Sequence, residues 1–240
     1  SVVKADLNIA DLMRPAEGFG PHTTIPVDFG CIVGSKDPVA LDATACRMVG
    51  LDINKVAYFA AAKERNLGKF EEKDIEIRGR SIAEVFKQLW FPYLEGFETW
   101  PEYHFYTSGA CSSCESLVAF TMEKLKALGE YEKNAGCAIV VGPKRDDEMP
   151  QGFDPNDVIL IGDCLKRFRG KGVGHWSAGC PPLEPHPLWV IIDRQDHFEM
   201  EPDFRERMAR DEEPWLAYIA KLKEEHDRQR SQARPAEPDR

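Results

Sequence analysis

The sequence predicts an α/β fold of two docked units, and three observations support this prediction. Short apolar runs typical of strands alternate with segments of helical period along most of the 240 residues. Trp, Phe, Tyr and Pro crowd the stretch 91–103 and divide the chain. Behind it, the runs 138–141 and 158–161 are nearly all apolar, as in strands covered on both faces. The expected parts are an α/β unit over 1–92, a small parallel-type α/β unit over 104–195 and a charged helical tail over 203–240.

The overall composition excludes several classes of protein. The formal net charge is −10, from 31 Lys and Arg against 41 Asp and Glu, whereas a nucleic-acid binder needs clustered cations that contact phosphates. The chain contains no apolar run of about 18 residues or more, so we expect no membrane insertion. Its seven cysteines are an odd number, spread unevenly, which suits a reducing compartment better than a disulfide scaffold. We therefore expect a cytoplasmic protein.

The first unit shows short strands and capped helices. Residues 29–33 form an apolar run that predicts a strand, and Asp37 followed by Pro38 predicts the start of a helix that ends before Gly50. The further expected elements are a helix over 54–67, a short strand over 75–77 and a helix from a capping box at Ser81 to about Trp90. Because the chain begins Ser-Val-Val-Lys and residues 2–11 already resemble the interior of a fold, we expect this unit to be the C-terminal part of a larger domain.

A stretch rich in Gly and Pro precedes these helices and predicts a loop. Two interpretations are open: an ordinary surface loop, or a loop that covers a polar site through Arg14, Glu17 and His22. In the second case, Asp37 and Asp42 are further candidates for an enzyme site. Helix capping already explains Asp37, however, and Asp42 lies one turn along the same helix. The Gly-x-Gly in this loop is too short a match to indicate dinucleotide binding.

The second unit reads as strand, helix and further strands. A strand over 104–107 leads into a helix that ends near Leu128, before Gly129. The other expected elements are strands over 138–141, 158–161 and 188–192 and a C-terminal helix over about 214–228. We expect the helix to dock through an apolar cluster made of Trp215, Leu216, Tyr218 and Ile219. The aromatic residues of the linker are expected to pack one unit against the other, and residues 231–240 to be disordered.

Four of the seven cysteines follow predicted strands or lie in a turn-rich loop. Cys111 and Cys114 form a Cys-x-x-Cys just behind one strand, and Cys164 follows another. Cys180 lies in a Gly-Cys-Pro-Pro loop that can return to the same edge. Because binding sites collect at the carboxyl edge of a parallel sheet, we predict that these four ligate one metal centre. Cys137 precedes its strand, is expected at the opposite edge and is the rival for fourth ligand.

The layout of these cysteines favours one 4Fe–4S cluster. A Cys-x-x-Cys alone fits zinc, an iron–sulphur cluster or a redox dithiol, and the two further cysteines argue against the dithiol. Structural zinc usually draws on two short-spaced pairs, and only one pair is present, so zinc is the alternative cofactor. Gly109, Gly162 and Gly179 are expected to form tight turns whose N–H groups approach sulphur. Cys31 and Cys46 fall within a predicted strand and helix, where we expect them to be structural.

Residues 34–52, Gly-Ser-Lys-Asp-Pro-Val-Ala-Leu-Asp-Ala-Thr-Ala-Cys-Arg-Met-Val-Gly-Leu-Asp, resemble the signature of a prokaryotic family known as domain of unknown function number 362. Residues 17–21 resemble the glycine-rich segment that precedes the signature there. Some members are similar in carrying a cysteine domain behind this one, with a Cys-x-x-Cys, a later Gly-Asp/Asn-Cys and a terminal Gly-Cys-Pro-Pro. The resemblance implies no activity. The cluster ligands that it implies are Cys111, Cys114, Cys164 and Cys180.

The sequence therefore predicts an iron–sulphur protein that carries electrons or assists a redox reaction within a larger assembly. Two alternatives stay open: a zinc-stabilised interaction module, and an enzyme with a polar site near the loop 14–22. The associations that the sequence allows are a redox partner protein and a homo-oligomer. Asp163 would lower the potential of a cluster if its side chain points inward, and His175 and Trp176 either surround the cluster or pack the loop before Cys180.

Overall fold

One four-stranded parallel sheet and two antiparallel strand pairs form the β-structure of the computed structural model, which describes residues 5–20, 23–92, 96–198 and 200–232. The chain divides into two units, Ser1–Leu94 and Glu95–Arg240. Helices accompany the strands in both units. The fold is therefore of the predicted α/β class.

The described residues of the first unit form four short strands and three helices. Strand β1 (Asn8–Leu12) pairs antiparallel with β4 (Cys31–Ser35), and β2 (Ala16–Phe19) pairs antiparallel with β3 (Thr23–Pro26). The helices are α1 (Pro38–Met48), α2 (Ala57–Glu64) and the single turn α3 (Ile82–Val85), with 3-10 turns at Ile53–Lys55 and Glu72–Asp74.

Helix α1 confirms the capping prediction. The Asp37 carboxylate accepts hydrogen bonds from the N–H groups of Val39 and Ala40 at 2.9 and 3.2 Å, and Pro38 is the first helical residue. Gly50 follows the helix with φ of +72°, in the left-handed region that glycine adopts at little cost. These residue types fix both ends of α1 locally.

Three other predictions in the first unit are wrong at their boundaries or in type. The helix expected over 54–67 is interrupted at Val56, and residues 75–77 form no strand. The capping box at Ser81 is present, but its helix ends at Val85. Beyond that point, the N–H groups of Lys87 and Leu89 donate to the carbonyls of Met48 and Val49. The end of α1 thus provides the hydrogen bonds that further helix would have made.

The predicted Gly- and Pro-rich loop is largely strand, since β2 and β3 lie within or next to it. Gly18 lies in β2 with φ of +90°, and a Cβ there would come within 3.4 Å of the Trp90 ring. The glycine therefore allows close packing of the ring. His22, one of the proposed polar contacts, lies outside the described residues.

The second unit is built on a parallel sheet whose strands stand in chain order. They are β5 (His104–Tyr106), β6 (Ala138–Val141), β7 (Val158–Ile161) and β8 (His175–Ser177). The helices are α4 (Ser112–Ala127), α5 (Pro185–Asp193) and α6 (Phe204–Gln232). Short 3-10 segments lie at Phe97–Thr99, Glu132–Asn134, Asp146–Glu148, Pro155–Asp157 and Asp163–Phe168.

The sheet is buried on both faces, as the apolar runs predicted. One face contributes Ala138, Val140, Val158 and Leu160 to a core cluster that also holds Leu165 and Phe168 of a 3-10 segment. Alternate residues of β6 and β7 point to the other side, where α5 packs on β7 and β8 and α4 packs on α5. Connections in such a sheet leave all four carboxyl ends at one edge.

The run 188–192 is not a strand but lies in α5, and the fourth strand is β8. Leu188, Trp189, Val190 and Ile191 are all 0% exposed. A helix buried on every side has no polar face, so its sequence has the same continuous apolar pattern as a buried strand. Strand β8 has only three residues, too few to produce a pattern.

Helix α6 begins earlier and ends later than predicted, and Pro214 lies inside it. Of the expected docking cluster, Trp215 and Ile219 are buried, whereas Leu216 is 50% exposed. The Trp215 ring meets Phe120 of α4 edge-on at 4.8 Å, and Tyr218 donates to Glu123. Within the described residues, no helix combines the length and apolarity needed to cross a membrane.

Candidate functional site: four cysteines at the carboxyl edge of the sheet

The four predicted cysteines all follow the carboxyl ends of strands in the parallel sheet. Cys111 is the residue before α4, at the end of the turn behind β5, and Cys114 lies in the first turn of that helix. Cys164 is in the 3-10 segment that follows β7, and Cys180 is in the loop behind β8. Three sheet strands thus deliver these cysteines to one edge. Cys114 is buried, and the other three are exposed.

The thiols at this edge lie close enough to influence one another electrostatically. Burial, together with the neighbouring thiols of Cys111, Cys164 and Cys180, raises the pKa of Cys114 to about 12. The pKa of Cys111 is lowered, chiefly because the backbone N–H of Cys114, at the amino end of α4, favours the thiolate. Within the Cys-x-x-Cys pair, Cys114 is therefore the buried thiol with a raised pKa, and Cys111 the exposed thiol with a lowered one.

Two glycines allow the loops to close around Cys114. Gly162 has φ of +98°, and a Cβ on it would lie 3.6 Å from the Cys114 sulphur. Gly179 has φ of +128°, and a Cβ there would come within 2.5 Å of the Pro182 Cα. A side chain at Gly179 would thus force the loop apart, and one at Gly162 would fill space beside the thiols.

The segments that carry Cys164 and Cys180 are hydrogen-bonded to each other. The Asp163 N–H donates to the Gly179 carbonyl at 2.8 Å, and the Gly179 N–H donates to the Asp163 carboxylate at 2.9 Å. The Trp176 indole N–H donates to the Gly162 carbonyl at 3.0 Å. Asp163 and Trp176 therefore hold the loops, while His175 pairs with Asn156 at 3.2 Å.

Lys144 is part of this edge, although nothing in the sequence singled it out. It follows β6, is only 6% exposed, and donates from Nζ to the carbonyls of Ser108 and Val141. Its own carbonyl accepts a 2.5 Å hydrogen bond from Arg167, in the segment of Cys164. Burial lowers the pKa of Lys144, and the nearby Cys164 thiol acts in the opposite direction. The fourth strand end thus contributes a buried cation that joins two cysteine-bearing segments.

Cys137 lies at the opposite edge of the sheet, as its position before β6 predicted. It is 0% exposed and donates from its sulphur to the Asn134 carbonyl at 3.0 Å. Burial raises its pKa. Cys31 and Cys46 belong to β4 and α1 of the first unit. None of these three thiols is among the groups that influence Cys114.

The four thiols are neighbours, but they do not form a coordination shell. Within the described ranges, no group of three or more His, Cys, Asp and Glu side chains is arranged so that it could hold a metal ion. The donor set itself suits a soft metal, because four cysteines offer four thiolates once deprotonated. Iron–sulphur clusters and zinc are both compatible with such ligands.

The polar candidates of the first unit are not brought together. Arg14 pairs with Asp28 in an exposed ion pair, and Glu17 is buried and accepts from the Trp90 N–H at 2.9 Å. Asp37 caps α1, and Asp42 accepts from the Tyr58 hydroxyl at 2.6 Å. A cavity of about 320 Å³ lies between β4, α1 and residues 75–85. Among the described residues that line it, these candidates do not occur.

Comparison with known proteins gives one match. A family model described as "Domain of unknown function (DUF362)" matches residues 1–47, a stretch that ends within α1. A search of curated proteins and a search of solved structures each gave no significant match. The family match supports the resemblance of the first unit and does not extend to the cysteines of the second.

Proposed function

We propose that the second unit binds one 4Fe–4S cluster through Cys111, Cys114, Cys164 and Cys180 and acts as an electron-transfer or redox component. The observation that carries the proposal is the gathering of three other thiols around the buried Cys114 at one sheet edge. Four thiolates from separate segments are a typical ligand set for such a cluster. When bound, the cluster would supply one-electron redox chemistry.

The surroundings supply what cluster binding needs from the protein. Gly162 leaves room beside the Cys114 sulphur, and Gly179 lets its loop close on Pro182. The hydrogen bonds between the two loops fix the segments of Cys164 and Cys180. Lys144 places a buried positive charge near the thiols. Such charges and hydrogen bonds set the potential of a cluster and the ease with which it binds.

The test is anaerobic purification of the full chain followed by metal analysis. We expect a brown protein that contains iron and acid-labile sulphide in equal amounts. Cys164→Ser should bleach the colour, whereas the matched Cys137→Ser should keep it, because Cys137 lies at the opposite edge. A colourless protein with one tightly held zinc would support the zinc-stabilised module instead, and the reverse behaviour of the two variants would overturn the ligand assignment.

A further inference from the structure

A cavity of about 490 Å³ lies beside the cysteine site, within the second unit. Its lining includes Asp163, Gly179 and Pro181, which neighbour Cys164 or Cys180 in the sequence. The cysteines themselves do not belong to the lining that the structure describes. The volume falls in the range of small-molecule sites, roughly 300–1,000 Å³. A molecule held there would lie next to the loops that carry two thiols.

One face of the 3-10 segment Asp163–Phe168 points to this cavity. Such a helix has three residues per turn, so that side chains three apart eclipse one another. Asp163 and Lys166 are spaced in this way and Arg169 directly follows the segment, and all three line the cavity. Asp163 is already engaged by the Gly179 N–H. The face therefore presents two cations, in a protein whose net charge is −10.

Arg169 is held in place by aromatic rings. Its guanidinium carbon lies 3.9 Å from the centre of the Phe198 ring and 5.4 Å from that of Trp176. Its Nε pairs with Asp196 at 3.5 Å, and the structure of the described residues gives the guanidinium no other ion pair. Two terminal nitrogens thus remain for a ligand, in an orientation that the rings fix in advance.

The cavity wall also contains polar groups without partners. Lys166 is exposed, and its ammonium makes no ion pair or hydrogen bond with the described residues. His186 is 2% exposed, and neither of its ring nitrogens has a hydrogen-bond partner in the part of the chain that the structure describes. A buried polar group in this state costs free energy.

We propose that this cavity binds a small organic anion through its carboxylate or phosphate group, with Lys166 and Arg169 as the main contacts. Arg169 offers the paired donors that match carboxylate and phosphate oxygens, and Lys166 adds a second positive charge. The proposal does not rest on the cluster, because no cysteine supplies a contact. If the proposed function also holds, the anion lies beside the redox centre and is a candidate substrate.

The test is calorimetric titration of the full chain with inorganic phosphate and with acetate at constant ionic strength, in metal-free and iron-loaded protein. We expect one saturable site for at least one anion. Lys166→Gln should raise its Kd about tenfold or more, the loss of one charge-assisted contact, and Lys166→Arg should retain binding. Lys171→Gln, an exposed lysine outside the cavity, should change Kd less than about twofold because surface charges are screened.

A second measurement reports the location of the anion. The ring proton resonances of His186 should shift with the same Kd, while those of His226 in α6 should not. Equal weakening by Lys166→Gln and Lys171→Gln would mean general attraction to surface cations and would overturn the proposal, as would the absence of saturable binding. Because the metal-free protein is titrated as well, a failure to bind iron leaves this outcome interpretable.

Discussion

Lys144 is a buried lysine whose ammonium is hydrogen-bonded by backbone carbonyls. A lysine that is 6% exposed loses hydration, and here its Nζ contacts two backbone carbonyls instead of a carboxylate. Those carbonyls belong to Ser108, before Cys111, and to Val141, at the end of β6. A Cβ on the neighbouring Gly142 would come within 2.6 Å of the Ala110 nitrogen. The turn before Cys111 is therefore fastened closely to the end of β6.

We predict that Lys144→Met lowers the free energy of unfolding by about 1–3 kcal/mol, because a buried carbonyl and a partly buried one lose their donor. It should also lower the amount of iron retained per chain. Lys133→Met is the control: Lys133 is 65% exposed in an ion pair with Glu130, and its loss should cost less than about 1 kcal/mol. Urea unfolding and iron analysis measure both effects. Equal stability and equal iron in the two variants would contradict a role for Lys144 at the site.

Among the elements, α6 contains a predicted docking cluster of which some residues are buried and others are exposed. Trp215 is 3% exposed against Phe120, whereas the adjacent Leu216 is 50% exposed. We predict that Trp215→Ala lowers the free energy of unfolding by about 3–5 kcal/mol. Leu216→Ala should cost less than about 0.5 kcal/mol, as exposed positions do. The urea unfolding midpoints of the two variants measure these losses. A similar loss for both would mean that α6 docks through another face.

Elements were predictable from the sequence where local chemistry decides them. Asp37 and Pro38 fix the start of α1, and the apolar runs of β6 and β7 have the predicted bounds. The prediction failed where tertiary contacts decide. The run 188–192 is helical because its surroundings bury it on all sides, and α3 stops where α1 offers better partners for Lys87 and Leu89.

The cysteine site could be located in part for the same reason. Strand order along a parallel sheet places Cys111, Cys114 and Cys164 at one edge, which sequence position alone can indicate. Cys180 also follows a strand, but β8 was too short to be seen. Lys144 and the cationic face of Lys166 and Arg169 depend on contacts between distant segments, and charged loop residues give no sequence signal of burial.

At the scale of the molecule, the family match and the cysteines lie in different units. Residues 1–47 carry the match, and all four site cysteines lie in Glu95–Arg240. The second unit has its own buried sheet and core cluster. All four proposed ligands therefore come from the second unit.

We therefore predict that a fragment of residues 95–240 folds cooperatively and retains as much iron per chain as the whole protein. A fragment of residues 1–94 should retain none. Thermal unfolding followed by circular dichroism, together with iron and sulphide analysis, provides the measurement. A 95–240 fragment that folds yet fails to take up iron would place part of the site in the first unit.

In the 3-10 segment behind β7, side chains three residues apart have the same surroundings. Leu165 and Phe168 pack in the core. Asp163, Lys166 and Arg169 line the cavity. The third set of positions contains Cys164 and Arg167, and the Arg167 guanidinium donates to the Lys144 carbonyl. Three roles thus alternate along two turns of 3-10 helix and the residue that follows them. A one-residue insertion or deletion near its start would shift each following side chain into the surroundings of the adjacent position. Point substitutions can tune this segment, but a change in its length would disrupt core, thiol and anion contacts at once.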